Sequence, residues 1–239
     1  MLRESPGLES LSLNQIGPVS IESQTSWRGG NDTILCLPSL RRLTIETNDP
    51  PVNFFECFAF PNLTRLTLCI VYQESPTHGE EVVQDLLRPS PATGRSVLSG
   101  LQSLRIAGVC CNDRATVAGV YATLTNLQTL SLDFETRGMV LSRGWYDVLT
   151  TQWESIANAN EEPLLPQLQA LKLIGLSGKD MRHLIEVRAA TRRPVRQVYV
   201  YEENDLAQED KSWIKHNVDT FEYFDSIMMW AEDHFTFVN

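Results

Sequence analysis

Leu63-Thr64-Arg65-Leu66-Thr67-Leu68 sets the pattern for this chain. Its three leucines stand at L-x-x-L-x-L spacing. The same spacing returns at Leu8-Glu9-Ser10-Leu11-Ser12-Leu13, Leu40-Arg41-Arg42-Leu43-Thr44-Ile45 and Leu101-Gln102-Ser103-Leu104-Arg105-Ile106. It returns again at Leu127-Gln128-Thr129-Leu130-Ser131-Leu132 and Leu168-Gln169-Ala170-Leu171-Lys172-Leu173. Val195-x-x-Val198-x-Val200 continues it with β-branched residues, and Val218-x-x-Phe221-x-Tyr223 closes it. Within each phrase the last two apolar positions alternate with a polar or small residue. Period-two alternation places Leu43 and Ile45 on one face of a strand and Arg42, Thr44 and Glu46 on the other. The first leucine precedes the strand and packs into the turn that enters it.

A strand this short cannot bury its apolar face alone. Stacking parallel copies closes the backbone ladder and makes the core continuous. Parallel neighbours need a crossover rather than a hairpin, and several spacers are helical by pattern. Val82, Val83, Leu86 and Leu87 share a face within Glu80–Arg88. Val117, Val120, Tyr121 and Leu124 do the same, as do Trp145, Val148, Leu149, Trp153 and Ile156. Ser177-x-x-Asp180 reads as a capping box ahead of Met181, Leu184 and Ile185. Pro89, Pro91, Pro163, Pro166 and Pro194 punctuate the returns. A phrase repeated at tens of residues is the mark of a leucine-rich repeat solenoid. The expected fold is therefore α/β: a horseshoe with a parallel concave sheet of about eight short strands and convex helices of irregular length. Irregularity is expected because 23 residues separate Leu40 from Leu63 while 41 separate Leu127 from Leu168. A long convex insertion is expected around Trp145–Asn160. The asparagine that forms a ladder in regular repeats is kept only at Asn48.

At 239 residues the chain suits a single repeat domain, 1–239. Residues 225–239, with Ile227, Met228, Met229, Trp230, Phe235, Phe237 and Val238, read as a C-terminal cap; the competing reading is a peptide that docks in a partner groove. Met1-Leu2-Arg3-Glu4-Ser5-Pro6 matches Leu86-Leu87-Arg88-Pro89-Ser90-Pro91, which ends a convex helix. By that analogy the chain begins partway through a repeat, with the Leu11–Leu13 strand uncovered.

A net charge of −10 argues against nonspecific binding of nucleic acid or membrane surfaces. Arg188, Arg192, Arg193 and Arg196 form a local basic cluster that reads as the solvated C-terminal end of a helix. The five cysteines have no framework spacing, and Cys57, Cys69 and Cys110 fall where thiols simply pack. Asn31-Asp32-Thr33 and Asn62-Leu63-Thr64 match the glycosylation sequon, but no signal region or spanning segment accompanies them. A reducing compartment, cytoplasmic or nuclear, is the expectation.

Chemistry is not expected. Gly175-Leu176-Ser177-Gly178-Lys179-Asp180 lacks the first glycine of a phosphate loop, where Leu173 stands, and Asp180 replaces its magnesium-binding hydroxyl. His183 and Glu186 lack a further histidine at ligand spacing, and Cys110-Cys111 lacks a base. No catalytic, cofactor-binding or metal-binding residue is assigned.

The phrases Phe60-Pro61-Asn62-Leu63-Thr64-Arg65-Leu66-Thr67-Leu68 and Leu165-Pro166-Gln167-Leu168-Gln169-Ala170-Leu171-Lys172-Leu173 resemble the repeat region of fungal F-box proteins. The ending resembles it too, with a Val195–Tyr201 strand, a polar stretch and a final Val218–Phe224 strand. The resemblance implies a module that recruits a protein substrate to a cullin ubiquitin ligase. In that family an N-terminal F-box docks a Skp-type adaptor. No F-box is recognisable here, and the phrase at Leu8 leaves no room for one, so the adaptor does not carry over to this chain. The alternatives are a scaffold or regulatory repeat protein unrelated to ubiquitin, or a truncated product without adaptor binding.

The residues between the strand leucines face the concave side. A central row holds Ser12, Thr44, Thr67, Arg105, Ser131, Lys172, Tyr199 and Glu222. Beside it run Arg42, Arg65, Ser103, Thr129, Ala170 and Gln197. Arginine and tyrosine are common interface anchors. Arg42, Thr44, Arg65, Thr67, Arg105, Ser131, Lys172, Tyr199 and Tyr201 are the candidate contacts for an acidic or phosphorylated peptide. The plainer reading is that they solvate an exposed sheet.

Overall fold

A computed structural model describes residues 5, 7–16, 34–47, 54–70, 76–135, 142–159 and 162–225. The asparagine at 48, the sequon at 31–33 and the apolar tail at 226–239 lie outside the described residues. Among those described, eight strands form one parallel sheet, in the order in which the chain makes them. They are β1 (Ser10–Ile16), β3 (Arg42–Thr47), β5 (Arg65–Ile70), β6 (Ser103–Ala107), β7 (Thr129–Asp133), β8 (Ala170–Ile174), β9 (Gln197–Tyr201) and β10 (Thr220–Phe224). Each carries one phrase of the repeat. β2 (Leu35–Cys36) and β4 (Phe58–Ala59) pair separately in parallel.

Among the described residues six α-helices lie in the returns: α1 (Phe54–Cys57), α2 (Pro76–Leu87), α3 (Arg114–Thr123), α4 (Gly144–Ala159), α5 (Gly178–Ala190) and α6 (Gln208–Asn217). From α2 onward each helix packs against the next. The arrangement is an α/β, solenoid-like stack with helices along one face of the sheet.

A backbone device recurs at the entrance of each main-sheet strand after β1. The carbonyl of Glu9 accepts hydrogen bonds from the N–H groups of both Arg41 and Arg42. Arg41 does the same for Thr64 and Arg65, and Thr64 for Gln102 and Ser103. The series continues through Gln102, Gln128, Gln169 and Arg196. Just upstream, the N–H groups of Leu40, Leu63, Leu101, Leu127 and Leu168 each close a turn on the carbonyl three residues earlier. These first leucines are at most 3% exposed, so each anchors its turn in the core as the phrase predicts. Asn62 Nδ2 donates to the Pro38 carbonyl at 2.8 Å, and Asn126 Nδ2 donates to the Ser99 carbonyl at 3.1 Å. Asparagines therefore link successive rungs, but ahead of the strand rather than after it.

The core lies between sheet and helices. Leu43, Ile45, Leu66, Leu68, Leu104, Ile106, Leu130, Leu132, Leu171, Leu173, Val198 and Val200 are all at most 2% exposed. Truncating any of these leucines to alanine is expected to cost about 2–5 kcal/mol. The expected helical faces meet them, and Trp145 and Trp153 are fully buried. Both indoles keep a polar partner: Trp145 Nε1 donates to the Val109 carbonyl at 3.1 Å and Trp153 Nε1 to the Leu164 carbonyl at 3.1 Å. The Trp145–Asn160 region, expected as an insertion, is mostly α4, a full member of the helix layer. At the two ends Leu11, Leu13 and Phe221 are half-buried and Tyr223 is 39% exposed.

Between β3 and β5 the return is short, and aromatic rings replace the longer helix. Phe54 stacks on Phe58 at 4.7 Å, and Phe58 on Phe60 at 5.8 Å. Asp85 on α2 reaches this cluster, accepting a hydrogen bond from the Phe55 N–H at 3.1 Å. Burial pushes its carboxyl from 3.8 up to about 6, against the lowering effect of that hydrogen bond. The linkage has a definite sign. Below about pH 4 both states hold the proton and ionisation costs nothing. Between about pH 4 and pH 6 the unfolded chain loses its proton first, so stability falls as pH rises. Asp85→Asn is expected to stabilise the fold by on the order of 2 kcal/mol near pH 8 and by little near pH 4. Urea denaturation of both proteins at the two pH values checks this.

Candidate protein-binding surface

The face of the sheet away from the helices carries the residues between the strand leucines. Its order is set by register. Ser12 pairs with Thr44, Thr44 with Thr67, Thr67 with Arg105 and Arg105 with Ser131. Ser131 pairs with Lys172, Lys172 with Tyr199 and Tyr199 with Glu222. The central row predicted from sequence is thus one continuous line across eight strands with no offset. The neighbouring row is equally regular, with Arg42 opposite Arg65, then Ser103, Thr129, Ala170 and Gln197.

Arg42, Thr44, Arg65, Thr67, Arg105, Lys172, Tyr199 and Tyr201 are all partly exposed. Ser131 differs, at 6% exposure: it forms the floor between Arg105 and Lys172 rather than a projecting contact. Lys172 Nζ lies over the Tyr199 ring, 5.4 Å from its centroid. The Tyr199 hydroxyl donates to Gln197 Oε1 at 3.4 Å. Tyr201 and Phe224 bring their rings to 6.1 Å.

One member of this face escaped the sequence reading. Arg105 Nη2 is 3.7 Å from Asp133 Oδ2, and the Asp133 side chain is fully buried. Asp133 follows Ser131 by two residues, so alternation places it on the same face. Cys69, Ala107, Asp133 and Ile174 form a third row there, and all four are at most 5% exposed.

The basic cluster is not a solvated helix end throughout. Arg188 is fully buried. Its Nη1 donates to the Leu164 carbonyl at 2.9 Å and its Nη2 to the Leu165 carbonyl at 2.7 Å, while the guanidinium lies 4.8 Å from the Trp153 ring centroid. Burial, with Arg193's charge adding, pushes its ionisation down to about 10. Arg192, Arg193 and Arg196 are exposed as expected.

The remaining candidates have structural roles. Ser177 Oγ accepts from the Asp180 N–H at 3.2 Å, the serine half of the predicted capping box, and donates to Asp180 Oδ2 at 2.8 Å, so the carboxylate takes the hydroxyl rather than the Ser177 N–H. Arg143 Nη2 also donates to Asp180, at 2.7 Å, tying α4 to α5. His183 Nε2 lies 3.2 Å from Glu154. Burial pushes the Cys110 thiol up and the Cys111 thiol up to about 11, away from nucleophile behaviour at neutral pH. Cys69 is buried, whereas Cys57 and Cys110 are only partly so.

No protein-family model matches the chain, and no curated protein is significantly similar to it. Among the described residues no helix is long and apolar enough to cross a membrane.

Proposed function

We propose that the chain is a leucine-rich repeat, horseshoe-type binding module whose concave face receives an acidic or phosphorylated protein partner. We further propose that it serves as the substrate-recruiting part of an F-box-like ubiquitin ligase receptor. The observation that supports the first reading is the unbroken register of the central row. It turns scattered residues into an ordered surface, and eight strands at about 4.8 Å give it a length of roughly 35 Å. That length suits a standard interface of about 800 Å² per partner. Cations at Arg42, Arg65, Arg105 and Lys172 stand on this face in a chain whose net charge is −10. The ubiquitin role rests on the sequence resemblance alone.

The module reading is tested on an immobilised array of acidic and phosphorylated peptides. Capture of acidic over neutral peptides is expected, with Arg65→Glu weakening it by at least about tenfold. An Arg65→Glu protein that gives the wild-type pattern counts against the face. Co-purification of a Skp-type adaptor with the protein tests the ligase role.

A further inference from the structure

The face is narrow. Alternation gives it three rows, but over β5 to β8 the third is closed, because Cys69, Ala107, Asp133 and Ile174 are buried. Two rows remain there, floored by Ala170 and Ser131 at 5% and 6% exposure and lined by the half-buried Arg65, Thr67, Ser103, Arg105, Thr129 and Lys172, two residues apart along each strand, or about 7 Å. A helix with its side chains is about 10–12 Å across. One extended chain fits the strip better than a helix does.

The strip is also polarised along its length. Arg42 and Arg65 stand directly opposite each other on neighbouring strands. The Arg65 side chain has no ion pair among the described residues, whereas Arg105, further along, is paired with Asp133. At the other end Lys172 covers Tyr199, and Tyr201 meets Phe224. From β5 to β9 there are four strand spacings, about 19 Å, which an extended peptide crosses in about six residues.

Building on the binding-face reading, we propose that the partner lays one extended segment across the strands. An anionic side chain pairs with Arg65, and an apolar or aromatic side chain about six residues away rests against Tyr199 and Tyr201.

The test uses fluorescein-labelled Ser/Gly peptides carrying a Glu-Glu pair and a Trp at separations of about three, six or nine residues, read by fluorescence polarisation. The six-residue spacing is expected to bind at least about tenfold more tightly than the others. Replacing Glu by Gln in the peptide, or Arg65→Glu in the protein, removes the contribution of the acid. Tyr199→Ala removes that of the Trp. Arg41→Glu makes the same charge change at an exposed residue just ahead of β3 and leaves the spacing preference intact. Binding that ignores the spacing but still falls in Arg65→Glu overturns the extended-segment inference and spares the binding face. Equal losses in Arg41→Glu and Arg65→Glu mean diffuse attraction and overturn it too, as does failure of every probe to bind.

Discussion

Arg188→Ala is expected to destabilise the fold by about 2–5 kcal/mol. Arg188 is fully buried and donates to two main-chain carbonyls in the return between α4 and β8. The Leu164 carbonyl keeps Trp153 Nε1 as a second donor. Leu165 is fully buried and holds φ at 56°, a backbone conformation that costs a leucine energy unless its surroundings fix it. The Leu165 carbonyl likewise keeps the Leu168 N–H, so removing the guanidinium takes one of two donors from each carbonyl and, as the larger effect, leaves a cavity beside Trp153. Arg188→Met separates the two effects. It removes the same charge and donors but fills the space, so its loss is expected to be smaller than that of alanine. Guanidinium chloride unfolding followed by tryptophan fluorescence measures both. An alanine variant within about 1 kcal/mol of wild type would show that this arginine does not hold the turn.

Gly108→Ala is the second large effect, with an expected loss of about 3 kcal/mol or more. Gly108 follows β6 at φ 66°, and a Cβ there would stand 2.0 Å from the Ile70 carbonyl oxygen at the end of β5. Two penalties combine: the left-handed backbone and a clash with main chain that cannot rotate aside. Gly94 separates them, because it has the same φ of 66° but nothing within 4 Å of an added Cβ. Gly94→Ala should cost about 1 kcal/mol, the conformational part alone. Thermal unfolding of the two variants checks the difference; equal losses would refute the close approach of the β5 and β6 ends.

The strand stack was legible because a one-residue slip in any phrase would turn its leucines to solvent. Six residues were therefore enough to fix which side chains share a row, and all eight predicted neighbours fall in line. The elements that were missed carry little periodic signal. In α6 only Ile214 is an apolar residue fully in the core, so Gln208–Asn217 reads as polar. α1, β2 and β4 are too short to show a period. Arg188 had a signal that its neighbours hid: with Met181, Leu184 and Ile185 it keeps the i, i+3, i+4, i+7 spacing of the buried face, yet three exposed arginines surround it. The closed third row and the pairing of Arg105 with Asp133 depend on packing across strands, which no single phrase contains.

The paired N–H groups at each strand entrance separate two things that most folds couple. Alignment is decided before a strand starts, by one peptide oxygen of the preceding turn, so the length of intervening chain has no say in it. Gains or losses of sequence between phrases are absorbed on the helical side and never shift Tyr199 relative to Arg105. Such a molecule can change its bulk, its outer contacts and its size over generations while the spacing of its opposite face stays constant.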